Sequence, residues 1–335
     1  MRIAFLANPE APGGWYRGIG PMVALASRGH DIRQVIGLGD DFFAERVRGC
    51  DVLHVYREHD DRAMRLIRYA KENRIAIVWD NDDNLAAVPK NNASYREYGG
   101  AAGTRIQQAI NKIVAMADLV TAPSAMLCDH YRERGAAHVQ WIENYVRDEL
   151  PGIPARPNGR EVRIGWLAGA EHHLDVERMP IRAALARLLD AHPDVRVTSI
   201  GTGLGIRDER YRHVRRLDFV DLPNEMVTFA VGIAPIADIP FNYGRSNVKL
   251  KEYSAQGIPW LASPIGPYEG MGERQGGRLV PDDGWYDALA RLVVKERERR
   301  KLAKRARKWG TQQTVGAHGT VWEQALEEAI ARVRG

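Results

Sequence analysis

The chain has 335 residues, 44% hydrophobic and 27% charged, which excludes a disordered or fibrous protein and is about twice the length of one domain. Its formal charge of +5 comes from one segment: residues 295–308 hold nine basic and two acidic side chains, leaving 39 basic against 41 acidic elsewhere. Two cysteines, Cys50 and Cys128, with no CxxC, exclude a disulfide framework or a cysteine zinc site, and no apolar run of 18 offers a membrane span.

In chain order, residues 3–7 form a buried-strand pattern too short for a signal peptide, so a reducing, cytoplasmic setting is expected. Apolar runs at 31–36, 52–56, 75–79, 119–122 and 139–142 predict further strands. Between them helices are predicted over 20–28, 62–73, 104–117 and 124–134, with a polar loop over 80–103. Strands apolar throughout and separated by helices predict a parallel sheet covered on both faces.

The rhythm stops at 147–161, where three prolines and two glycines predict a linker. It restarts with strands at 162–167, 195–200, 214–219, 231–234, 260–262 and 278–280, and helices at 178–191 and 247–256. Long helices over about 284–309 and 320–334 close the chain. The expectation is two αβα sandwiches facing a cleft: a first domain over 1–148, a linker over 149–161 and a second domain over 162–318.

The segment VGIAPIADIPFNYGRSNVKLKEYSAQGIPWLASPIGPYE, 231–269, carries the densest chemistry. Ser246 and Asn247 read as an N-cap, so the N–H groups of the following helix form an anion site, with Arg245 and Lys249 adding charge. Glu252 stands one turn further in, where a carboxylate can accept both hydroxyls of a ribose. A capped surface helix with a Lys–Glu pair is the plain alternative.

This segment resembles the nucleotide-sugar-binding region of GT-B-fold glycosyltransferases, and within them a family-4-like bacterial and phage subgroup. The likeness rests on Pro240, Phe241, Asn242, Ser246, Asn247, Lys249, Glu252, Tyr253, Gly257, Pro259, Ala262 and Ser263. Three more stretches are similar in the same order: WDNDDNLAAVPKNN at 79–92, ADLVTAPSAMLCDHYRERGAAHVQWIENYV at 117–146 and VRIGWLAGAEHHLDVE at 162–177.

The resemblance implies two Rossmann-like domains, with a C-terminal helix, 319–335, packing back on the first. It implies transfer of a sugar from a nucleotide-sugar co-substrate, a UDP-sugar ahead of a GDP-sugar, with retention of configuration and no metal or other cofactor. Glu252 would hold the ribose, Ser246, Asn247, Lys249 and Arg245 the diphosphate, and the loop from Gly165 to Gly169 would lie beneath the phosphates. The wider family often carries a second glutamate eight positions before the first; here that position is Gly244. A basic pair usual after the first strand of the second domain is also replaced, by Ala168–His173.

On the first domain, Gly13, Gly14, Trp15, Tyr16 and Arg17 follow a strand and match the family's acceptor loop. Asp80, Asp82 and Asp83 end another strand as acceptor-binding acids, one of them a general base if configuration inverts. His172 is a candidate for contact with donor phosphate or sugar. The acceptor class stays open between glycan, lipid, protein and a hydroxylated base of phage DNA, and a sugar-nucleotide-binding protein without transfer activity is the alternative from another class. The basic segment predicts an amphipathic helix packed by Leu302, Ala306 and Trp309, its charges solvated or docked on an anionic surface.

Overall fold

The computed structural model describes the backbone of all residues except 9–11, 36–39, 93, 158 and 160, and additionally leaves aside the side chains of 12, 40–43 and 170. Strands β1 (Arg2–Leu6), β2 (Asp31–Gln34), β3 (Val52–Tyr56), β4 (Ala76–Asp80), β5 (Leu119–Ala122) and β6 (Val139–Trp141) form one parallel sheet in the order β2-β1-β3-β4-β5-β6. Strands β7 (Val162–Ala168), β8 (Val195–Gly201), β9 (Tyr211–Val214), β10 (Val231–Ala234), β11 (Trp260–Ala262) and β12 (Gly277–Leu279) form a second, in the order β12-β11-β10-β7-β8-β9. Every residue of β3, β4 and β5 is buried, as strands sandwiched between helical layers must be.

The helices follow from local chemistry. In Asp61–Glu72, the Asp60 carboxylate caps the first turn by accepting the Ala63 N–H at 2.8 Å. Ala63, Leu66, Ile67 and Ala70, at helical spacing, turn the buried stripe toward the sheet, and each large side chain so buried is worth about 1.5–3 kcal/mol. The C-terminal helix, Gly319–Arg334, returns to the first sheet, where Trp322, Ala325, Leu326 and Ala329 pack among Ile3, Val52 and Val78.

Three expected elements are placed differently. The helix expected over 178–191 is two, His173–Arg178 and Ile181–Ala191, because Met179 takes an extended conformation before Pro180. The strand expected at 214–219 is Tyr211–Val214, which leaves 215–219 as a loop over the cleft. The helix expected over 284–309 breaks at Lys295 into Trp285–Val294 and Glu296–Gly310. There the Arg299 guanidinium donates to the carbonyls of Leu292 and Val293, which lack partners in their own helix.

The basic helix packs by Leu302, Ala306 and Gly310, with Trp309 only half-buried, because Gly310 allows contact with the backbone of Ser254 and Ala255. Part of its charge serves the fold: Arg307 donates to carbonyls of Ala255 and Pro151, and Arg305 pairs with Glu273. Arg297, Lys301, Lys304 and Lys308 are exposed along one face.

In both sheets the strand order reverses once, between β1 and β3 and between β7 and β10. Crevices outside the carboxyl ends at such points are where ligands bind in open α/β sheets. The two crevices open into one cleft of about 620 Å³.

Candidate functional site

The second-lobe wall is built from the loops after β7 and β10. Asp175 locks them together: its carboxylate accepts the Ala237 N–H at 2.8 Å, the Asn242 amide at 2.9 Å and His172 Nδ1 at 2.6 Å. With its Nδ1 proton donated to Asp175, His172 offers Nε2 as an acceptor, 2.6 Å from Lys249 Nζ and 3.2 Å from Arg245 Nη1. Burial, then Lys249 and Arg245, lower the His172 pKa to about 4, so the ring is neutral. Arg245 also pairs with Glu171 at 2.5 Å; burial opposes ionisation of that carboxyl, but Arg245, His172 and Lys249 together hold it well below the usual range. Burial, aided by Arg245, lowers Lys249 to about 7.

The helix Val248–Ala255 begins against these cations. Neither expected cap closes it: Asn247 makes no side-chain cap bond, and Ser246 Oγ, 3.5 Å from the Val248 N–H, takes its shorter bond from the Asn144 amide at 3.1 Å. The helix start is therefore open to an anion. One turn on, Glu252 is buried and accepts the Tyr16 hydroxyl, which reaches across from the first lobe; burial raises its pKa to about 7. Glu252 Oε2 takes no hydrogen bond among the described residues.

The first-lobe wall comes from the ends of β3 and β4. Arg57 Nη2 donates to Asp82 Oδ1 and Asp83 Oδ2, each at 2.6 Å, and the Tyr56 hydroxyl donates to Asp82 at 2.6 Å. Arg57 has φ 62, a conformation disfavoured for any side chain but glycine, and its N–H is tied to the Asp80 carbonyl at 2.8 Å. Burial raises Asp83, with Asp82 adding to it, whereas for Asp82 burial is outweighed by Arg57 together with the Tyr56 hydroxyl, Arg17 and Asn144, which lower it.

The sequence-predicted residues divide between wall and scaffold. Gly13, Tyr16, Asp82, Asp83, Gly169, Arg245, Ser246, Lys249 and Glu252 line the cleft. Arg17 and Asp80 do not: both are fully buried in a salt bridge, Nε to Oδ1 at 2.9 Å and Nη2 to Oδ2 at 2.6 Å, which corrects the acceptor and catalytic roles expected of them. Gly165 is a packing glycine, since a Cβ there would lie 2.0 Å from the Phe229 ring, and this corrects its place under the phosphates. His172, expected at the donor, lies behind Arg245 and Lys249. Gly14, Trp15 and Asn247 stand beside the wall rather than in it, Trp15 packing on Phe219 at 5.9 Å.

The residues that sequence reasoning missed are polar links. Asn144 accepts from Arg17 at 3.0 Å, which turns its amide N–H groups toward Asp82 Oδ2 at 3.2 Å and Ser246. Asp175 could have been found from its spacing, three after His172, and Asn144 lies within the 117–146 stretch that carries the resemblance; Arg57 carried no local signal. Residues 15–19 form a π-helical turn in which the Gly20 N–H reaches the Trp15 carbonyl; such turns are rare and presented no period to detect. Among the described residues no three His, Cys, Asp or Glu side chains converge on a metal position.

No protein-family model matches the chain, and no curated protein does. Solved structures match its fold from end to end. Anabaena HepE in complex with UDP and glucose superposes with a TM-score of 0.66 at 16% identity, over 98% of this chain and 99% of that one. A glycosyltransferase from Rickettsia africae gives 0.67 at 15% identity over 98% of both chains. The catalytic domain of starch synthase IV from Arabidopsis thaliana, bound to ADP and acarbose, gives 0.66 at 12% identity over 99% of both. The chain therefore has the GT-B fold: two Rossmann-like sheets facing one cleft, with the last helix crossing back to the first.

Proposed function

We propose that this chain is a glycosyltransferase that moves a sugar from a nucleoside-diphosphate sugar to an acceptor hydroxyl. The donor occupies the second lobe and the acceptor the first, with the boundary between them in 149–161. The observation that carries this reading is the alignment, along one helix, of an open N-terminus flanked by Arg245 and Lys249 with the Glu252 carboxylate one turn deeper. Diphosphate and ribose need an anion site and a bidentate acceptor in that order. The residues of the family-4-like likeness supply both. Among the fold's neighbours HepE holds UDP and UDP-glucose, which favours a UDP-sugar here.

Arg245 and Lys249 neutralise the leaving diphosphate, and His172 orients them as a neutral acceptor. Asp82 and Asp83 orient the acceptor hydroxyl. The resemblance, from which Gly244 is a departure, supports retention of configuration, with donor phosphate oxygens taking up the acceptor proton as the leaving bond breaks.

The test is a thermal-shift comparison of UDP, GDP and ADP, followed by UDP release from UDP-sugars. UDP is expected to raise the midpoint more than the others. Binding of UDP with no release from any UDP-sugar, whatever the acceptor, would replace the enzyme reading by a binding protein.

Gly244 adds an expected result. A Cβ there would lie 2.8 Å from Asn84 Cβ and 3.1 Å from its backbone nitrogen, where the lobes meet, and the Gly244 carbonyl accepts from Ser124 at 3.2 Å. Gly244→Ala should hold the lobes apart, cutting UDP release at least tenfold with UDP affinity changed less than threefold. Unchanged release would show that the closed arrangement is not needed.

A further inference from the structure

We propose that the first-lobe half of the cleft seats an uncharged polyhydroxylated acceptor, a saccharide ring laid on Tyr98 and held by Asn92, Arg57 and Asp83. This rests on the glycosyl-transfer reading and narrows its acceptor.

Asn92 is 7% exposed and lines the cleft, its Oδ1 accepting the Ser94 N–H at 2.8 Å, which turns its NH2 group away; that Nδ2 has no partner among the described residues. Arg57 Nε is likewise buried and unpartnered, and Asp83 Oδ1 takes no hydrogen bond among the described residues. Buried polar groups are rarely left so, and each is a desolvation cost that a ligand can relieve. Two donors and one acceptor stand beside an apolar wall of Leu85, Val88 and half-buried Tyr98. A sugar ring offers the complement, hydroxyls that both donate and accept and a C–H face for the aromatic ring.

Charge decides against a phosphodiester. Arg57 is spent on two carboxylates, so the group carries −1, and a phosphate, which only accepts, would face Asp82 and Asp83. The cations on the cleft wall without partners among the described residues, Arg215 and Arg216, lie on the loop to Phe219. Phe219 packs on Tyr16, the partner of Glu252, so that positive end is the nucleoside end.

Saturation-transfer NMR with UDP present tests this, using maltose, cellobiose and lactose against glucose 6-phosphate and a duplex oligonucleotide containing hydroxymethylcytosine. At least one neutral disaccharide should receive saturation, the phosphorylated sugar and the duplex none. Asn92→Asp keeps the Ser94 contact and removes the donor, so it should weaken disaccharide binding at least tenfold, with UDP affinity by calorimetry within twofold. Tyr98→Ala should act in the same direction if Asn92→Asp does not fold. The proposal falls if UDP binds while no disaccharide does, if the phosphorylated sugar or the duplex binds more tightly, or if neither variant weakens the sugar. Disaccharide binding without any UDP binding would keep the saccharide seat and overturn the glycosyl-transfer reading instead.

Discussion

Arg17→Leu is expected to destabilise the first lobe by about 3–5 kcal/mol, read as a fall in its urea midpoint at constant slope. Arg17 is fully buried and spends its guanidinium on Asp80, the Ile142 carbonyl and Asn144. Burial disfavours its charge, yet Asp80 raises its pKa above the usual value. Removing the cation leaves the buried Asp80 carboxyl without its guanidinium, with only the Thr121 hydroxyl donating to it among the described residues. Adding Asp80→Leu to Arg17→Leu should return most of the loss, because a buried pair replaced whole by apolar groups costs little. If the single variant unfolds at the wild-type midpoint, the pair is not the anchor of the turn that carries Tyr16. Arg17→Leu should also release the Asn144 amide from its fixed orientation.

UDP-glucose affinity should peak near pH 7 and fall about tenfold per pH unit on either side. The ligand's diphosphate diester does not titrate in that range, so both limbs belong to the protein. Under the proposed function two groups set this profile: the ribose hydroxyls would need the Glu252 carboxylate, which burial holds protonated until about pH 7. The diphosphate needs charged Lys249, which burial and Arg245 make neutral above about pH 7 until an anion arrives. Glu252→Gln should remove the acid limb and cost about 100-fold in affinity, at about 1.5–3 kcal/mol per hydrogen bond to a charged group. Lys249→Met should remove the alkaline limb. A flat profile in the wild type would show that neither group meets the ligand.

The same shifts have stability consequences of opposite sign. Glu252 has a folded pKa of about 7 against 4.5 unfolded, so its contribution is full below pH 4.5 and declines as pH rises through 7. Lys249 has about 7 against 10.5, so stability falls as pH drops from 10.5 towards 7. Glu252→Gln should therefore be more stable than wild type at pH 8, by about 1–3 kcal/mol, and indistinguishable at pH 4. The carboxylate is kept at a cost in stability, as expected of a group whose partner is a ligand.

Much of this molecule was legible in its sequence because the signals were periodic or consecutive. Strands that are mostly apolar with no alternation of polar positions, such as Val52–Tyr56 and Leu119–Ala122, have one stable setting, the interior of a covered parallel sheet. The run from Arg245 to Glu252 lies on one helix, so spacing alone puts its cations and its carboxylate on one line. Where the sequence misled, a local pattern competed with a distant partner. Arg17 and Asp80 stand in segments that resemble a site, but they satisfy each other across 63 positions and leave the wall to Tyr16 and Asp82. The helix over 284–309 kept its period through Lys295, and a guanidinium four residues on ended it by capping carbonyls.

By itself, then, the sequence determined the two parallel sheets and the helix Val248–Ala255, since each depends on residues near one another in the chain. Only the tertiary structure decided which polar groups would be wall and which scaffold. It set Tyr16 on Glu252, Asn144 between Asp82 and Ser246, and Gly244 against Asn84, pairs 236, 62, 102 and about 160 positions apart. Their meeting is fixed by how two sheets face each other, because a buried polar group takes its partner from whichever segment packing brings within reach, and no periodicity along the chain records that choice.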